Sequence, residues 1–203
     1  MHFFYNFHWN DRYSPLNNTS ILCAESHFVS LYDLRSSKCL GRISPSKGFI
    51  YSLALPSSPV DSNSNHNNMD TSNILLATGE DRIVYGIDRR NWKIRHRWRA
   101  PLKYEAIQLL SSPTMATTCY AVGLDNDILC GKWKSGSSAN SSDTSYKNIL
   151  FQNHHCGFRG DSRWIGVSIF NEKGEYSELS GDVIVAASEF GSLYVVENAD
   201  KMQ

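Results

Sequence analysis

Apolar residues in this chain come in short runs, each four to seven residues long and broken by small polar turns. In "ILCAESHFVSLYDLR" (Ile21 to Arg35) two such runs flank a polar centre. Runs this short, rich in Val, Ile, Tyr and Phe and bounded by Gly, Ser, Asn and Asp, predict strands rather than helices. The same layout returns in "LATGEDRIVY", "YAVGLDNDIL" and "VAASEFGSLY". The anchors are Ala24, Ala77, Ala121 and Ala186, each followed after one residue by Ser26, Gly79, Gly123 or Ser188. Eight residues beyond each anchor stands Tyr32, Tyr85, Leu129 or Tyr194. The unit reads as two strands joined by a tight polar turn, with a small residue where neighbouring sheets approach.

A further strand precedes each pair, at Phe3–Trp9, Phe49–Leu55, Tyr104–Leu110 and Arg163–Phe170. Ser-Pro follows the first three, and proline cannot donate to a ladder, so it marks their ends. A fourth strand follows three pairs: "CLGRI", "WKIRHRW" and "NILFQ". The expected architecture is therefore all-β, with four-stranded antiparallel units repeating about every 40–45 residues plus inserts, a period that signals radially repeated sheets. The units fall at residues 1–44, 48–99, 103–152 and 160–203 of one domain. Ser- and Asn-rich inserts near 56–73, 134–146 and 171–181 are expected to be disordered. A β-sandwich with coincidental matches is the competing architecture.

Over nearly its whole length the chain resembles a WD-repeat β-propeller. "VSLYDLRSSKCLGRI" is similar to that family's aromatic-Asp ending of the third strand running into the fourth. By the anchor alignment this dipeptide occurs once, since Gly86, Cys130 and Val195 follow the other anchored residues. The family's Gly-His pair is absent. The resemblance implies a propeller of about four blades forming an incomplete ring: part of a longer product, a ring completed by another chain, or an irregular closed ring. It also implies a non-enzymatic protein-interaction scaffold. Some members dock through an aromatic-Asp-x-Arg ending onto the adaptor of cullin-type ubiquitin ligases. Tyr32, Asp33 and Arg35 match that ending, although His27 stands where the longer box carries an Asp. A receptor of this type would hold a ligase adaptor with one face and a target protein with the other.

Composition narrows the choice. Twenty basic residues balance twenty acidic ones, which argues against wholesale nucleic-acid or membrane-surface binding. Five widely spaced cysteines, an odd number without a C-x-x-C pair, suit reduced thiols in the nucleus or cytoplasm. "MHFFYNFHWNDRYSP" lacks a basic start and a clean apolar stretch, so it is not a signal peptide. No apolar run approaches the ~20 residues of a membrane helix. "HHC" at His154–Cys156 has no second ligand pair at zinc spacing. Phosphate loops, nucleophile elbows and zinc-protease motifs are missing, so neither enzyme nor cofactor is expected.

Two further groups of candidates remain. Phe28 and Phe190 are expected at the tips of second-to-third strand turns, with Arg163 and Trp164 in a nearby link, as anchors for a partner. "DRRNWKIRHRWRAPLK" (Asp88 to Lys103) carries seven Lys or Arg and invites a nucleic-acid reading through Arg95, Arg97 and Arg99. Its alternation argues instead for an outer strand, with Trp92, Ile94, His96 and Trp98 facing inward and the cations in water. This RNA-processing or ribosome-assembly scaffold is the alternative to the ligase receptor.

Overall fold

The protein is described here by a computed structural model covering residues 20–57, 71–134, 156–171 and 181–201. The described residues form four antiparallel sheets in chain order. The first contains β1 (Ser20–Glu25), β2 (Phe28–Asp33) and β3 (Lys38–Ile43). The second contains β4 (Ile50–Ala54), β5 (Ile74–Gly79), β6 (Ile83–Asp88) and β7 (Lys93–Arg99). The third contains β8 (Ala106–Ser111), β9 (Thr118–Gly123), β10 (Asp127–Lys132) and β11 (Cys156–Arg159). The fourth contains β12 (Trp164–Asn171), β13 (Asp182–Ser188) and β14 (Leu193–Val196). Every sheet is a meander, each strand pairing with its sequence neighbour. The chain is all-β, as the pattern predicts. The expected strand at Phe3–Trp9, most of the three inserts, "NILFQ" and His154–His155 lie outside the described residues.

The edge of the third sheet differs from expectation. Its fourth strand is β11, with Cys130 opposite Cys156 and Asp127 opposite Arg159, so the unit runs past residue 152. The short "CGFR" segment has little apolar pattern of its own and is fixed by the ladder.

Consecutive sheets stack face to face, and each junction holds one apolar cluster. Leu22 and Val29 meet Leu53, Leu75, Ala77, Tyr85 and Ile87 between the first and second sheets. Leu76, Val84 and Trp98 meet Leu109, Cys119 and Ala121 between the second and third. Tyr120, Val122 and Ile128 meet Val167, Ile184 and Ala186 between the third and fourth. First strands lie side by side: the Leu109 amide donates to Ser52 Oγ at 3.0 Å, and Gln108 Nε2 donates to the Val167 carbonyl at 2.9 Å. Between the third and fourth sheets the fully buried Asp182 carboxylate accepts from Thr114 Oγ1 at 2.6 Å and from Tyr120 Oη at 2.8 Å.

Three of the four alanine anchors occupy one structural position. Ala77 pairs with Leu53 and Tyr85, Ala121 with Leu109 and Leu129, and Ala186 with Val167 and Tyr194. All three are fully buried. The fourth is displaced. The β1–β2 turn is tight, with Glu25 opposite Phe28, so Ala24 pairs with Val29 and Tyr32 with Ile21. Cys23, opposite Ser30, holds the place of the alanines, and Ser26 sits in the turn at φ 58°.

Glycines admit two tryptophans from the second sheet. A Cβ on Gly41 would lie 2.0 Å from the Trp92 indole, and one on Gly131 would lie 2.1 Å from Trp98. Exposure along β7 alternates as expected, but the buried residues do not share one face. A bulge falls where Gly86 pairs with His96 and Ile87 with Ile94, leaving Arg95 as the extra residue. Trp92 and Ile94 pack into the first junction. Trp98 enters the second, and His96 lies edge-on to Trp133 with ring centroids 5.4 Å apart.

Candidate protein-interaction site

The Asp33–Arg35 turn joins β2 to β3. Asp33 Oδ1 accepts from the Arg35 amide at 2.9 Å, closing an Asx turn, and from Arg35 Nε at 3.3 Å. Arg35 Nη2 reaches Asp33 Oδ2 at 3.4 Å. These bonds, the Arg35 amide first, hold the Asp33 carboxyl below its usual range. The Arg35 side chain stays 64% exposed, so its fork is pinned on one side and open on the other.

The second sheet builds the same turn between β6 and β7. Asp88 Oδ1 accepts from the Arg90 amide at 3.0 Å and from Arg90 Nε at 3.1 Å, and Arg90 Nη2 meets Oδ2 at 3.0 Å. Asp33 pairs with Lys38 as Asp88 pairs with Lys93. Ser37 and Trp92 close the two turns in the left-handed region, at φ 51° and 52°, a conformation costing a non-glycine residue about 1–3 kcal/mol. Trp92 holds it with its indole seated over Gly41. Asp88 is almost completely buried, and its carboxyl lies below its ordinary range chiefly because Arg90 donates to it. Arg90 is 58% exposed. The Asp-x-Arg turn therefore occurs twice, although the aromatic-Asp dipeptide occurs once, since Ile87 precedes Asp88. The signal was present as Asp-x-Arg followed three residues later by Lys, in "DLRSSK" and "DRRNWK". Counting from the alanine hid it, because the first hairpin is shorter.

Tyr32 belongs to a different group. Its hydroxyl donates to Glu25 Oε1 at 2.9 Å and accepts from Arg42 Nη2 at 3.2 Å. Ser30 Oγ donates to Glu25 Oε2 at 2.8 Å, and Arg42 Nε donates to Ser30 Oγ at 2.9 Å. Burial pushes the Glu25 carboxyl up, but the bonds from Ser30, Tyr32 and Arg42 outweigh it and leave the group below its ordinary range. This network covers the face of the first sheet opposite the second.

The aromatic candidates separate. Phe28 is not at a tip: it opens β2, 4.0 Å from the His27 ring and beneath the Arg42 guanidinium at 5.1 Å. Trp164 is buried rather than displayed, at 5% exposure, with its ring 5.4 Å from both Phe158 and Tyr194. Phe190 does stand out, at 79% exposure, on a turn tied down by neighbours. The Phe190 amide donates to Ser162 Oγ at 3.1 Å, the Glu189 amide to the Arg163 carbonyl at 2.8 Å, and Arg163 Nη2 to Glu189 Oε1 at 3.1 Å. Arg163 and Phe190 are thus brought together, at the opposite end of the sheets from the Asp-x-Arg turns.

The three arginines of β7 do not form one stripe. Arg95 is the bulge residue and lies 3.6 Å from Asp88. Arg97 covers the Tyr85 ring at 5.9 Å, and Arg99 is exposed two residues on. Arg97, Lys47, Glu80 and Asp81 line a cleft of about 610 Å³ between the link joining β3 to β4 and the second sheet. There Tyr85 Oη donates to Asp81 Oδ2 at 2.5 Å. Burial, followed by this bond, pushes the Tyr85 phenol up to about 12.

No known protein-family model matches the chain, and no curated protein matches it either. No helix among the described residues is long and apolar enough to cross a membrane.

Proposed function

We propose that the chain is a segment of a WD-repeat-like β-propeller acting as a non-enzymatic protein-interaction scaffold, and that it is the substrate-receptor part of a cullin-type ubiquitin ligase. The observation carrying this reading is the pair of superposable Asp-x-Arg turns on adjacent sheets, each presenting a guanidinium pre-oriented by its own aspartate. A fork held in one orientation loses little entropy when it meets an acceptor on a partner. Arg35 and Arg90 dock the ligase adaptor, while Phe190 with Arg163 at the opposite end meets the target protein. Stacked sheets built to one register support the propeller. The test is capture of the adaptor by the wild-type chain, Arg35→Ala, Arg90→Ala and the double variant. Stepwise loss across the series is expected; equal recovery by all four, or none by any, removes the ligase version.

The alternative, an RNA-binding scaffold, is favoured by the exposure of Lys93, Arg95, Arg97 and Arg99 along β7. It requires affinity that falls steeply with added salt. Absence of RNA binding at low salt would end it.

A further inference from the structure

We propose that the entries to the second and third sheets form a docking surface for an arginine of the target protein, with Phe49 and Tyr51 under the guanidinium and Glu80 and Glu105 beside it. This inference rests on the reading above that this end of the sheets meets the target, and it names the chemistry recognised there. Its basis is a position repeated in three sheets. Glu80, Leu124 and Glu189 open the turns after β5, β9 and β13, and their amides donate to the carbonyls of Phe49, Glu105 and Arg163 at 3.0, 2.9 and 2.8 Å. Two residues past each carbonyl the first strand carries a bulge, at Tyr51, Ile107 and Ile165. The backbone frame is therefore the same, and the side chains on it differ. In the fourth sheet it is electrically complete, because Arg163 Nη2 donates to Glu189 Oε1 at 3.1 Å. In the second sheet Glu80 stands where Glu189 does, but Phe49 replaces the arginine. Glu80 Oε2 accepts from the Phe49 amide at 3.0 Å. In the third sheet Glu105 takes the arginine's place. Among the described residues neither Glu80 nor Glu105 joins an ion pair. Lys47 lines the cleft that Glu80 also borders without pairing with it, and Lys103 lies 4.9 Å over the Tyr104 ring. Both carboxylates bear on Tyr51, whose phenol is pushed up first by burial and then by the Glu105 and Glu80 charges.

The rings supply the rest of the surface. Phe49 and Tyr51 stack with centroids 6.4 Å apart and an interplanar angle of 14°. Phe49 is 46% exposed, and Tyr104 in the next link is 48% exposed. Exposed rings of this kind anchor partners. An aromatic face attracts a cation, and the unpaired carboxylates select for the same charge. A guanidinium satisfies both, because its plane stacks on a ring while its edge donates to carboxylate oxygens. An acidic segment is repelled here, and an apolar one would cover two charges without giving them partners. The chain builds the same arrangement internally in its first sheet. There Arg42 lies 5.1 Å over the Phe28 ring and pairs with Glu25 at 2.6 Å. At the second and third sheets the rings and the acids are present, and the arginine comes from the partner.

NMR titration of the isotope-labelled full chain with acetylarginine amide tests this, with acetylcitrulline amide as the uncharged isostere. The amide signals of Phe49, Glu80 and Glu105 should shift and saturate with a Kd on the order of millimolar. The citrulline probe should bind at least about fivefold more weakly. Glu80→Gln and Glu105→Gln should each weaken arginine binding about threefold, and together about tenfold. Glu189→Gln, at the position already served by Arg163, should leave it unchanged. Undisturbed signals elsewhere report an intact fold; should either variant misfold, Phe49→Leu, which removes only the ring, should weaken binding similarly. The proposal is overturned by the absence of saturable shifts at these amides, by equal binding of the two probes, or by a double variant that binds as wild type does. Capture of the adaptor through Arg35 and Arg90 without arginine binding here removes this inference alone. Arginine binding without adaptor capture removes the ligase version and leaves the docking surface.

Discussion

Replacing Tyr120 with Phe removes one oxygen from the junction of the third and fourth sheets and nothing else. That oxygen is the donor seen at Asp182 Oδ2; both Thr114 bonds go to Oδ1. Asp182 is fully buried, so the orphaned oxygen has no ready access to water. A bond to a charged acceptor contributes about 1.5–3 kcal/mol, which places the loss near 2 kcal/mol. For a domain of this size that is a fall in Tm of about 4–8 °C. Asp182→Asn softens the loss, because an unpartnered neutral amide costs less to bury than an unpartnered carboxylate. The double-mutant cycle should therefore show coupling of about 1–2 kcal/mol. The assay is urea unfolding followed by Trp fluorescence, with all four corners of the cycle at one pH. A loss below about 0.5 kcal/mol for Tyr120→Phe, or strict additivity, would refute the reasoning. Either result would mean that the carboxylate is hydrated or that the two sheets part before the rest unfolds.

Three other outcomes are expected. Gly131→Ala forces its Cβ against the Trp98 indole and should cost about 1–3 kcal/mol, with a shifted Trp emission; an unchanged midpoint would show that the indole yields freely. The Tyr85 phenol, raised to about 12, favours the folded state below its ordinary value of 10.0. That contribution is lost as pH rises from there through about 12, and the difference in phenolate absorbance between wild type and Tyr85→Phe should titrate in that window. Phe190→Ala, on an exposed tip, should alter stability by no more than about 0.5 kcal/mol; a larger loss in thermal melts would show that the ring packs on its own sheet.

Most strands were legible because their signal is local. Alternation marked Lys93–Arg99 as an outer strand, and small residues marked Ala77, Ala121 and Ala186 as places of close approach. What escaped depends on length differences between repeats. One tight hairpin shifts the frame so that Cys23, not Ala24, takes the conserved geometry, and this concealed the kinship of Asp33 and Asp88. The sequence likewise contains no mark of which aromatic residues turn inward. Trp164 and Phe190 flank similar polar links, yet one fills a junction and the other projects, because only the first has Phe158 and Tyr194 beside it. The strand Cys156–Arg159 is assigned by the ladder that it completes, and its own composition is nearly silent.

The extra residue at Arg95 also bears on how this strand tolerates insertion and deletion. By lengthening β7 locally, it lets one run of alternating residues serve neighbours on both sides: Ile94 to the left, His96 and Trp98 to the right. Exchange of Arg95 for another polar residue leaves that division intact. Its excision would close the ladder into regular pairing, with Ile94 still opposite Ile87 and His96 still opposite Gly86, so Trp98 stays in its seam. The position is thus indifferent to identity and tolerant in count, an added backbone unit that the ladder absorbs.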